Sequence, residues 1–295
     1  MKRPGRYALG AVLAGLPLCL AVCGPFLAGE PPSRAASFTL DGAGPLGTDF
    51  VGRDVLHQIL LGGRPVVLVA LAATALTYLA ALPLALVSAL THRRWLEEAL
   101  MRPLDVLLAV PSLLMLLLAA AAFPPGPLGL TLLVALVSVP DTARIIRAAA
   151  AEAASRPAVE ALRMQGESWW RLAVGYVGRC LLRTLAADAG IRLTGALYLV
   201  ATAAFLGIGV APDATDWAVM VDRNRPGLPV QPWAVVVPAL LVVALTTGGN
   251  LLADATLERR PPAPRAPGTR TAPRFLRPGR APRPGRAPSR KARQQ

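Results

Sequence analysis

The sequence predicts an all-α integral membrane protein with six transmembrane helices, and three observations support this fold class. Hydrophobic residues make up 54% of the 295 residues and charged residues only 16%, whereas soluble domains carry about 25% charged residues. Apolar runs long enough to cross a bilayer, which takes about 20 residues, recur between polar connections. Basic residues concentrate in alternate connections, as the positive-inside rule requires of a chain that crosses a membrane repeatedly.

The first segment, residues 1–29, combines a basic start with an apolar run. Lys2, Arg3 and Arg6 precede the apolar residues 7–29. Secretory signal peptides begin in the same way, but this run is long enough for a full span. We therefore predict a short cytoplasmic segment followed by a retained first transmembrane helix, with cleavage as the alternative.

Residues 30–64 form a polar, glycine-rich connection that we expect outside the cytoplasm. Asp49, Arg53 and Asp54 lie close together within it. Two carboxylates and an arginine on a loop usually cap a helix. The sequence thus predicts a local charge network that caps and anchors a short helix at residues 53–61.

Residues 65–258 are predicted to form a transmembrane domain with five further spans, at 65–90, 103–123, 128–146, 184–210 and 233–253. The apolar part of the span at 128–146 ends at Pro140, so the span borrows the next six residues. Arg144 and Arg147 are then expected to snorkel toward the lipid headgroups. Trp217 and Trp233 are expected to be anchors at the membrane interface.

Two opposite charges lie within the span at 184–210. Asp188 and Arg192 are one helical turn apart on one face. Because Arg183 is close by, we predict that the pair lies near the membrane edge and has a structural role. Cys19 and Cys23 lie in an apolar run, and no further histidine or cysteine joins them at metal-ligand spacing, so the sequence predicts no metal site.

The loop at residues 148–183 is rich in alanine and arginine and too polar to cross a bilayer. Pro157 breaks it, and Glu160-Ala161-Leu162, followed by Gly166, begins a second helical piece. A helical loop with a turn glycine suits a docking surface for a soluble partner. The alternative is an amphipathic helix that rests on the membrane surface.

The last segment, residues 259–295, carries most of the net charge of +14. It holds twelve basic residues and no acid, which leaves +2 for the rest of the chain. Proline, arginine and alanine dominate it, so it cannot build a core and is predicted to be a disordered tail. Contact with anionic lipid is its expected role, since each basic residue contributes about 1 kcal/mol there. We expect no specific binding to nucleic acid.

The basic connections place the chain in the membrane. By the positive-inside rule, both termini and the loop at 148–183 are predicted to be cytoplasmic, and six spans satisfy this arrangement.

Three stretches resemble the permeases of bacterial ABC importers. The pattern Glu160-Ala161-Leu162-x3-Gly166 resembles the EAA loop of these proteins. Residues 45–56, PLGTDFVGRDVL, are similar to the signature of the second permease subunit in the dipeptide, oligopeptide and nickel branch. Residues 205–210, FLGIGV, are similar to the FLGLGV stretch of that branch. The resemblance implies the type I ABC importer permease (MetI-like) fold and a place in a bacterial cytoplasmic membrane.

The resemblance also implies roles for particular residues and partners. ATPase coupling would fall to Glu160, Ala161, Leu162 and Gly166. A structural or gating role would fall to the signature residues Gly47, Thr48, Asp49, Gly52, Arg53, Asp54, Phe205, Gly207 and Gly209. The implied partners are a second permease subunit, two P-loop ATPase subunits, an extracytoplasmic solute-binding protein and membrane lipids. The transported solute would be a dipeptide, an oligopeptide, nickel or a similar small solute.

The sequence predicts that this chain is not an enzyme. A phosphate-binding loop needs the pattern GxxxxGK[ST], and Lys2 and Lys291, the only lysines, do not lie in it. No catalytic residue and no cofactor are therefore predicted, and ATP would be used by partner subunits.

The loop departs from the family pattern in two places. The family usually has alanine at Leu162, and a Leu-Pro pair near Gly178 and Arg179. We therefore expect the second arm of the loop to return to the membrane differently. The alternative function is a membrane scaffold or signalling component that uses its basic tail to bind lipid or a partner.

Overall fold

The computed structural model describes residues 3–40, 44–91, 93–122, 125–211 and 213–258. Regular structure in these ranges is helical, apart from an isolated antiparallel bridge between Thr48 and Asp54. The all-α fold class is confirmed. The predicted disordered tail, residues 259–295, lies outside the described residues.

The helices follow one another with short connections. In chain order they are α1 (Arg3–Leu27), α2 (Val55–Leu90), α3 (Arg94–Leu108), α4 (Ser112–Ala122), α5 (Pro127–Ala154), α6 (Pro157–Met164), a π-helix (Arg171–Gly178), α7 (Arg179–Phe205), α8 (Trp217–Asn224), a 3₁₀ turn (Arg225–Gly227) and α9 (Trp233–Glu258).

Several of these helices are long and apolar enough to cross a bilayer. Within the described residues, α1, α2, α5 and α9 each contain such a stretch, and α3 with α4 makes a fifth if the bent pair is one span. The remaining predicted span, at 184–210, corresponds to α7, which carries Arg183, Asp188 and Arg192. The protein is therefore an all-helical, multi-pass membrane protein.

Helix α2 begins ten residues before the predicted span, at Val55 rather than at Pro65. The separate short helix predicted at 53–61 is therefore wrong, because it continues into the span without a break. Paired glycines usually weaken a helix by exposing its backbone. Here the ring of Trp217 covers Gly62 and Gly63, so the helix passes through them.

The span predicted at 103–123 does not form one continuous helix, since α3 and α4 are bent by 91° relative to each other. Val110 precedes Pro111, and a residue before proline disfavours the α conformation. The 11 residues of α4 rise about 16 Å, which is about half of the hydrocarbon core of a bilayer. The predicted loop at 91–102 is largely helical because α3 begins at Arg94.

Helix α3 is held against α5 by two cross-helix ion pairs. Arg144 Nη2 lies 2.7 Å from Asp105 Oδ1, and Arg147 forms an ion pair with Glu97. Both arginines thus have an acid of α3 as a partner, which was not predicted from the sequence. Helix α5 runs unbroken through Pro140 to Ala154.

Two buried clusters form the core. One joins the first half of α2 to α5, α7, α8 and α9, and includes Val55, Leu130 and Val200. The other joins the second half of α2 to the end of α5, α6, the π-helix and the start of α7, and includes Val159 and Leu172. The first cluster lies toward the loop of residues 45–56, which we call the signature end, and the second lies toward α6, the coupling end.

Helix α1 packs along α9 through small residues. The backbone of Ala14 lies so close to Gly248 that a Cβ there would be 2.3 Å from the Ala14 nitrogen. A Cβ on Gly10 would touch Leu251 at 3.0 Å. The first helix is thus part of the packed bundle, antiparallel to α9.

Candidate functional site

Helix α6 carries the residues predicted to couple the chain to an ATPase. Pro157 is its first residue, where proline's missing N–H costs nothing. At its other end Gly166 adopts a φ of +76°. The Gly166 N–H donates to the Arg163 carbonyl at 3.0 Å and the Glu167 N–H to the Leu162 carbonyl at 3.1 Å. These two bonds form a Schellman motif, which ends the helix and turns the chain back.

The two sides of α6 differ in exposure. Val159 is fully buried, and half-buried Leu162 packs on the coupling-end cluster. On the other side Glu160 and Ala161 are exposed, and Met164 is 79% exposed. The helix therefore presents a small surface with an acid, an alanine and a methionine, which we call the α6 face.

The return arm of the loop reaches α7 through the π-helix. Leu172, Ala173 and Val177 of this segment are buried in the coupling-end cluster. The segment passes from Gly178 to Arg179 into α7 without an interruption. π-Helical turns frequently occur at functional sites.

The signature loop is a compact turn in which polar groups are satisfied by the backbone. Buried Thr48 accepts from the Thr39 N–H at 2.9 Å and donates to the Ala36 carbonyl at 2.7 Å. Buried Asp49 accepts from the N–H groups of Val51 at 3.0 Å and Arg53 at 2.7 Å. Thr48 and Asp49 thus shape the loop.

The predicted cap is confirmed at Asp54. Its carboxylate accepts from the His57 N–H at 2.8 Å and forms the N-cap of α2. Arg53 instead donates to the carbonyl of Asp213 at 3.1 Å. The three signature charges therefore act on the backbone, and Arg53 ties the signature loop to the segment before α8.

Two glycines of the signature have no room for a side chain. Gly47 and Gly52 adopt φ values of +73° and +78°. A Cβ on Gly47 would lie 2.6 Å from the Thr39 carbonyl oxygen, and one on Gly52 would lie 2.0 Å from that of Ala35. Segment 35–39 therefore lies directly on the loop.

The FLGIGV stretch ends α7 with the same kind of glycine turn that ends α6. Gly207 has a φ of +74°, and the Ile208 N–H donates to the Ala203 carbonyl at 2.8 Å. Gly209, with a φ of +77°, lies against Leu130, since a Cβ there would be 2.5 Å from the Leu130 Cβ. Phe205, the last residue of α7, stacks under the guanidinium of Arg225 at 5.5 Å.

Three buried amides at the signature end were missed by sequence reasoning. Asn224 accepts from the Phe50 N–H at 2.9 Å, and Gln231 donates to the Leu46 carbonyl. Gln58 accepts from the Thr215 hydroxyl at 2.9 Å. Each hydrogen bond joins segments more than 150 residues apart in the chain. No local sequence pattern could therefore predict it.

Asp216 was also missed, although an aspartate before an apolar helix is a recognisable cap signal. Its carboxylate accepts from the Ala218 N–H at 2.8 Å and caps α8. Burial raises the pKa of this carboxyl to about 6, although backbone N–H groups of Ala218 and Val219 favour its charged form. Asp216 is thus a buried acid that titrates near neutrality.

Trp217 is not the interface anchor that its position suggested. It is fully buried, and its indole N–H donates to the Ile59 carbonyl at 2.8 Å. The ring lies against α2, where a Cβ on Gly63 would be 2.4 Å from it. Trp233, the other expected anchor, is 46% exposed at the start of α9.

The predicted site residues thus fall into two groups at opposite ends of the bundle. Signature residues and the FLGIGV stretch lie at the signature end, and the α6 face lies at the coupling end. Helices α2, α5 and α7 contribute to both core clusters and connect the two ends.

Comparison with known proteins gives a family. The family model described as binding-protein-dependent transport system inner membrane component matches residues 81–260. That match covers α6, the π-helix, α7, α8 and most of the predicted transmembrane domain.

Individual relatives have peptide-transport names. The chain is 28% identical over 248 residues to the probable D,D-dipeptide transport system permease protein DdpC of Escherichia coli, covering 83% of each chain. It is 30% identical to the di/tripeptide transport system permease protein DppC of Pseudomonas aeruginosa, over 71% of this chain and 69% of that protein. It is 32% identical to a putative peptide permease protein of Brucella abortus, over 71% of each. The chain therefore belongs to the binding-protein-dependent transport system inner membrane components, the permeases of ABC importers.

Proposed function

We propose that this chain forms half of the translocation pathway of an importer for peptides or similar small solutes. An extracytoplasmic binding protein would deliver the solute, and separate ATPase subunits would drive transport. The relatives described above are named for dipeptide, tripeptide and peptide transport, which supports a peptide over nickel.

The observation that carries this proposal is the α6 face. An eight-residue helix outside the candidate spans leaves Met164 79% exposed while Val159 is fully buried. Methionine is one of the residues enriched at protein–protein interfaces. Ala161 permits close approach of a partner, and Glu160 offers it a charged contact.

Coupling would follow from how α6 is anchored. Val159 packs in one cluster with Ile146 of α5 and with Leu172 and Val177 of the π-helix. Because packed cores shift as units rather than deform continuously, a pull on α6 would move α5 and α7 together. ATP-driven closure of the ATPase pair would in this way rock the bundle between inward- and outward-facing states.

The proposed topology has six spans. It counts α1, α2, the bent pair of α3 and α4, α5, α7 and α9, and it places both termini and α6 in the cytoplasm of a bacterium. Support comes from the alternation of basic connections and from the packing of α1 against α9. The signature end would then face the binding protein, with Asp49, Arg53 and Asp54 keeping that surface rigid.

The proposed complex contains a second permease and two P-loop ATPases beside this chain. This chain would have no catalytic residue and no cofactor of its own, and ATP would be hydrolysed by its partners. The absence of GxxxxGK[ST] from the sequence supports this division of labour.

Gentle solubilisation from the native membrane tests the proposal. We expect the tagged chain to bring down a second permease and P-loop ATPases. Ala161→Trp should lose the ATPases and keep the permease, because the indole blocks close approach at the α6 face. Ala151→Trp, at an exposed position on α5, is the matched control and should keep both partners. Recovery of the folded chain without any ATPase would contradict the proposal.

A further inference from the structure

A group of charged and polar side chains joins α2, α5 and α7, and it includes none of the predicted coupling or signature residues. Arg192 of α7 pairs with Asp188 at 3.3 Å and with Asp141 of α5. Tyr78 of α2 donates its hydroxyl to Asp188 at 2.6 Å. Arg192 is near the middle of α7, and Asp141 is near the middle of α5.

The three charged residues differ in burial. The side chains of Arg192 and Asp188 are 13% and 10% exposed, so this pair is largely removed from solvent. The side chain of Asp141 is 52% exposed. The three residues together carry one surplus negative charge, and Asp141 is the carboxylate most exposed to the surface.

That surplus charge faces a cavity. A space of about 420 Å³ lies where α3 breaks from α4, with α5 and α7 as its other walls. Leu108, Met115, Val137 and Leu199 give it apolar sides. Among the described residues that line it, Asp141 and Arg192 carry the only charges.

The balance of charge decides which ligand the cavity favours. Two carboxylates and one guanidinium give the group a net charge of −1. Charges act strongly across an apolar space where water does not screen them. Ionisable groups within transmembrane segments usually mark a solute or ion path. A carboxylate entering the cavity would be repelled by Asp141, and a positively charged group would be attracted.

We propose that this cavity is a binding station for the protonated amine of the transported solute, with Asp141 as the residue that contacts it. The apolar walls would accept the remainder of a small peptide. Arg192 and Asp188 would be positioning residues, because Arg192 holds the Asp141 carboxylate at the cavity wall. This inference rests on the proposed import function and adds to it a preference for cationic groups.

Charged thiol reagents test the electrostatics without any transport. In a chain whose three cysteines are replaced by alanine, Ser138→Cys places a thiol in the cavity wall, and exposed Ser155→Cys serves as the reference site. The rates of a trimethylammonium and a sulfonate methanethiosulfonate are compared in the assembled complex. We expect the cationic-to-anionic rate ratio at position 138 to exceed that at position 155 about tenfold.

Three variants locate the source of that ratio. Asp141→Asn should abolish the excess at position 138. Asp105→Asn, a matched control, removes another carboxylate that pairs with an arginine between α3 and α5 and should leave the ratio within twofold. The double variant Asp188→Asn with Arg192→Gln removes two opposite charges and the anchor of Asp141. The net charge of −1 is kept, so the ratio at position 138 should fall below that of the parent but stay above that at position 155.

The outcomes separate this inference from the proposed function. An equal ratio at the two positions, a ratio unaffected by Asp141→Asn, or a thiol that neither reagent reaches would overturn the binding station. Uptake of dialanine by the same complex tests import independently. If wild-type uptake is present, Asp141→Asn should raise the KM for dialanine about tenfold and Asp105→Asn should leave it unchanged. If uptake is absent while the rate ratio holds, the import proposal fails and the cationic cavity stands.

Discussion

Gly166 ends α6 with a backbone conformation that L-residues with side chains rarely adopt. A Cβ at this position would meet nothing within 4 Å, so any effect of a substitution acts through the backbone alone. A β-branched residue is strongly disfavoured at its φ of +76°. The exposed turn of the coupling loop therefore depends on a single residue.

Gly166→Val is expected to lower ATP-dependent uptake at least tenfold without loss of the protein from the membrane. The strained turn would rotate the α6 face away from its partner. Gly175→Val is the matched control, because Gly175 also has open space but no positive φ, and it should transport normally. Uptake is normalised to the amount of chain in the membrane. Equal uptake by both variants would count against the turn as part of coupling.

Asp216 gives the signature end a dependence on pH. Burial raises its pKa to about 6, above the value of about 3.9 in an unfolded chain. Because the folded-state pKa is the higher one, protonation favours the folded state. The stability that this group contributes is full below about pH 4 and is lost as the pH rises through 6, which amounts to about 2 to 3 kcal/mol.

Asp216→Asn should remove this dependence while keeping the cap, since asparagine caps helices as well as aspartate does. Unfolding of the detergent-solubilised wild type and variant is followed from pH 4 to pH 7. We expect the variant to gain stability relative to the wild type as the pH rises. A difference in unfolding temperature that stays constant over this range would show that Asp216 does not titrate there.

Gly52 and Gly29 separate the effect of backbone conformation from that of close packing. Both have positive φ, but only Gly52 has a carbonyl in the way, that of Ala35. In each alanine variant, backbone strain should lower the free energy of unfolding by about 1 kcal/mol. Gly52→Ala should lower the free energy of unfolding by about 2 kcal/mol more, because the segment at Ala35 must move. Chemical denaturation of the two variants measures the difference, and equal losses would contradict the packing of segment 35–39 on the loop.

Helix α8 is held to α2 chiefly through Trp217. Trp217→Ala should lower the free energy of unfolding by about 3 to 5 kcal/mol. The substitution leaves a cavity beside Gly62 and Gly63 and removes a hydrogen bond to the Ile59 carbonyl. Trp233→Ala, at a half-exposed position, should cost less than about 1 kcal/mol. Thermal unfolding of both variants provides the comparison. A large loss from Trp233 alone would indicate that α9, rather than α8, secures the signature end.

Local patterns predicted the parts of the helices that depend on local interactions. Asp54 as a cap and Gly166 as a turn need only neighbours a few residues away, and the sequence shows both. Apolar length predicted α5 and α9 for the same reason. The break at Val110 and Pro111 also had a local signal, since proline restricts the residue before it, but apolar length outweighed that signal in the prediction.

Contacts between segments that are distant in the chain could not be predicted from the sequence. Trp217 is a residue type that often anchors helices at a membrane interface. Its role in the core follows from its contact with the glycines of α2, which the sequence does not show. The charge group around Arg192 depends on Asp141 and Tyr78, which lie on other helices. A charge within a span is costly when unpaired, so the sequence indicates that a partner exists without naming it.

Deletion of the tail, residues 259–295, would distinguish the two functions considered for the chain, transport and a membrane scaffold. If transport is the function, deletion of residues 261–295 should leave at least half of the uptake, because the predicted coupling and pathway residues all precede the tail. A scaffold that works through its basic tail would lose its function on this deletion. Uptake per amount of membrane-inserted chain is the measurement, and its loss with normal insertion would favour the scaffold.

The fit of Trp217 between the glycines of α2 has a consequence for the order of biosynthesis. Trp217 is added about 150 residues after Gly63, which takes a bacterial ribosome roughly 10 to 30 s at typical rates. During that time α2 sits in the membrane with its glycine surface uncovered and the amides of the signature end without their distant partners. The surface proposed to receive the binding protein therefore cannot form until translation is well past α7, so a stalled or truncated chain would not display it.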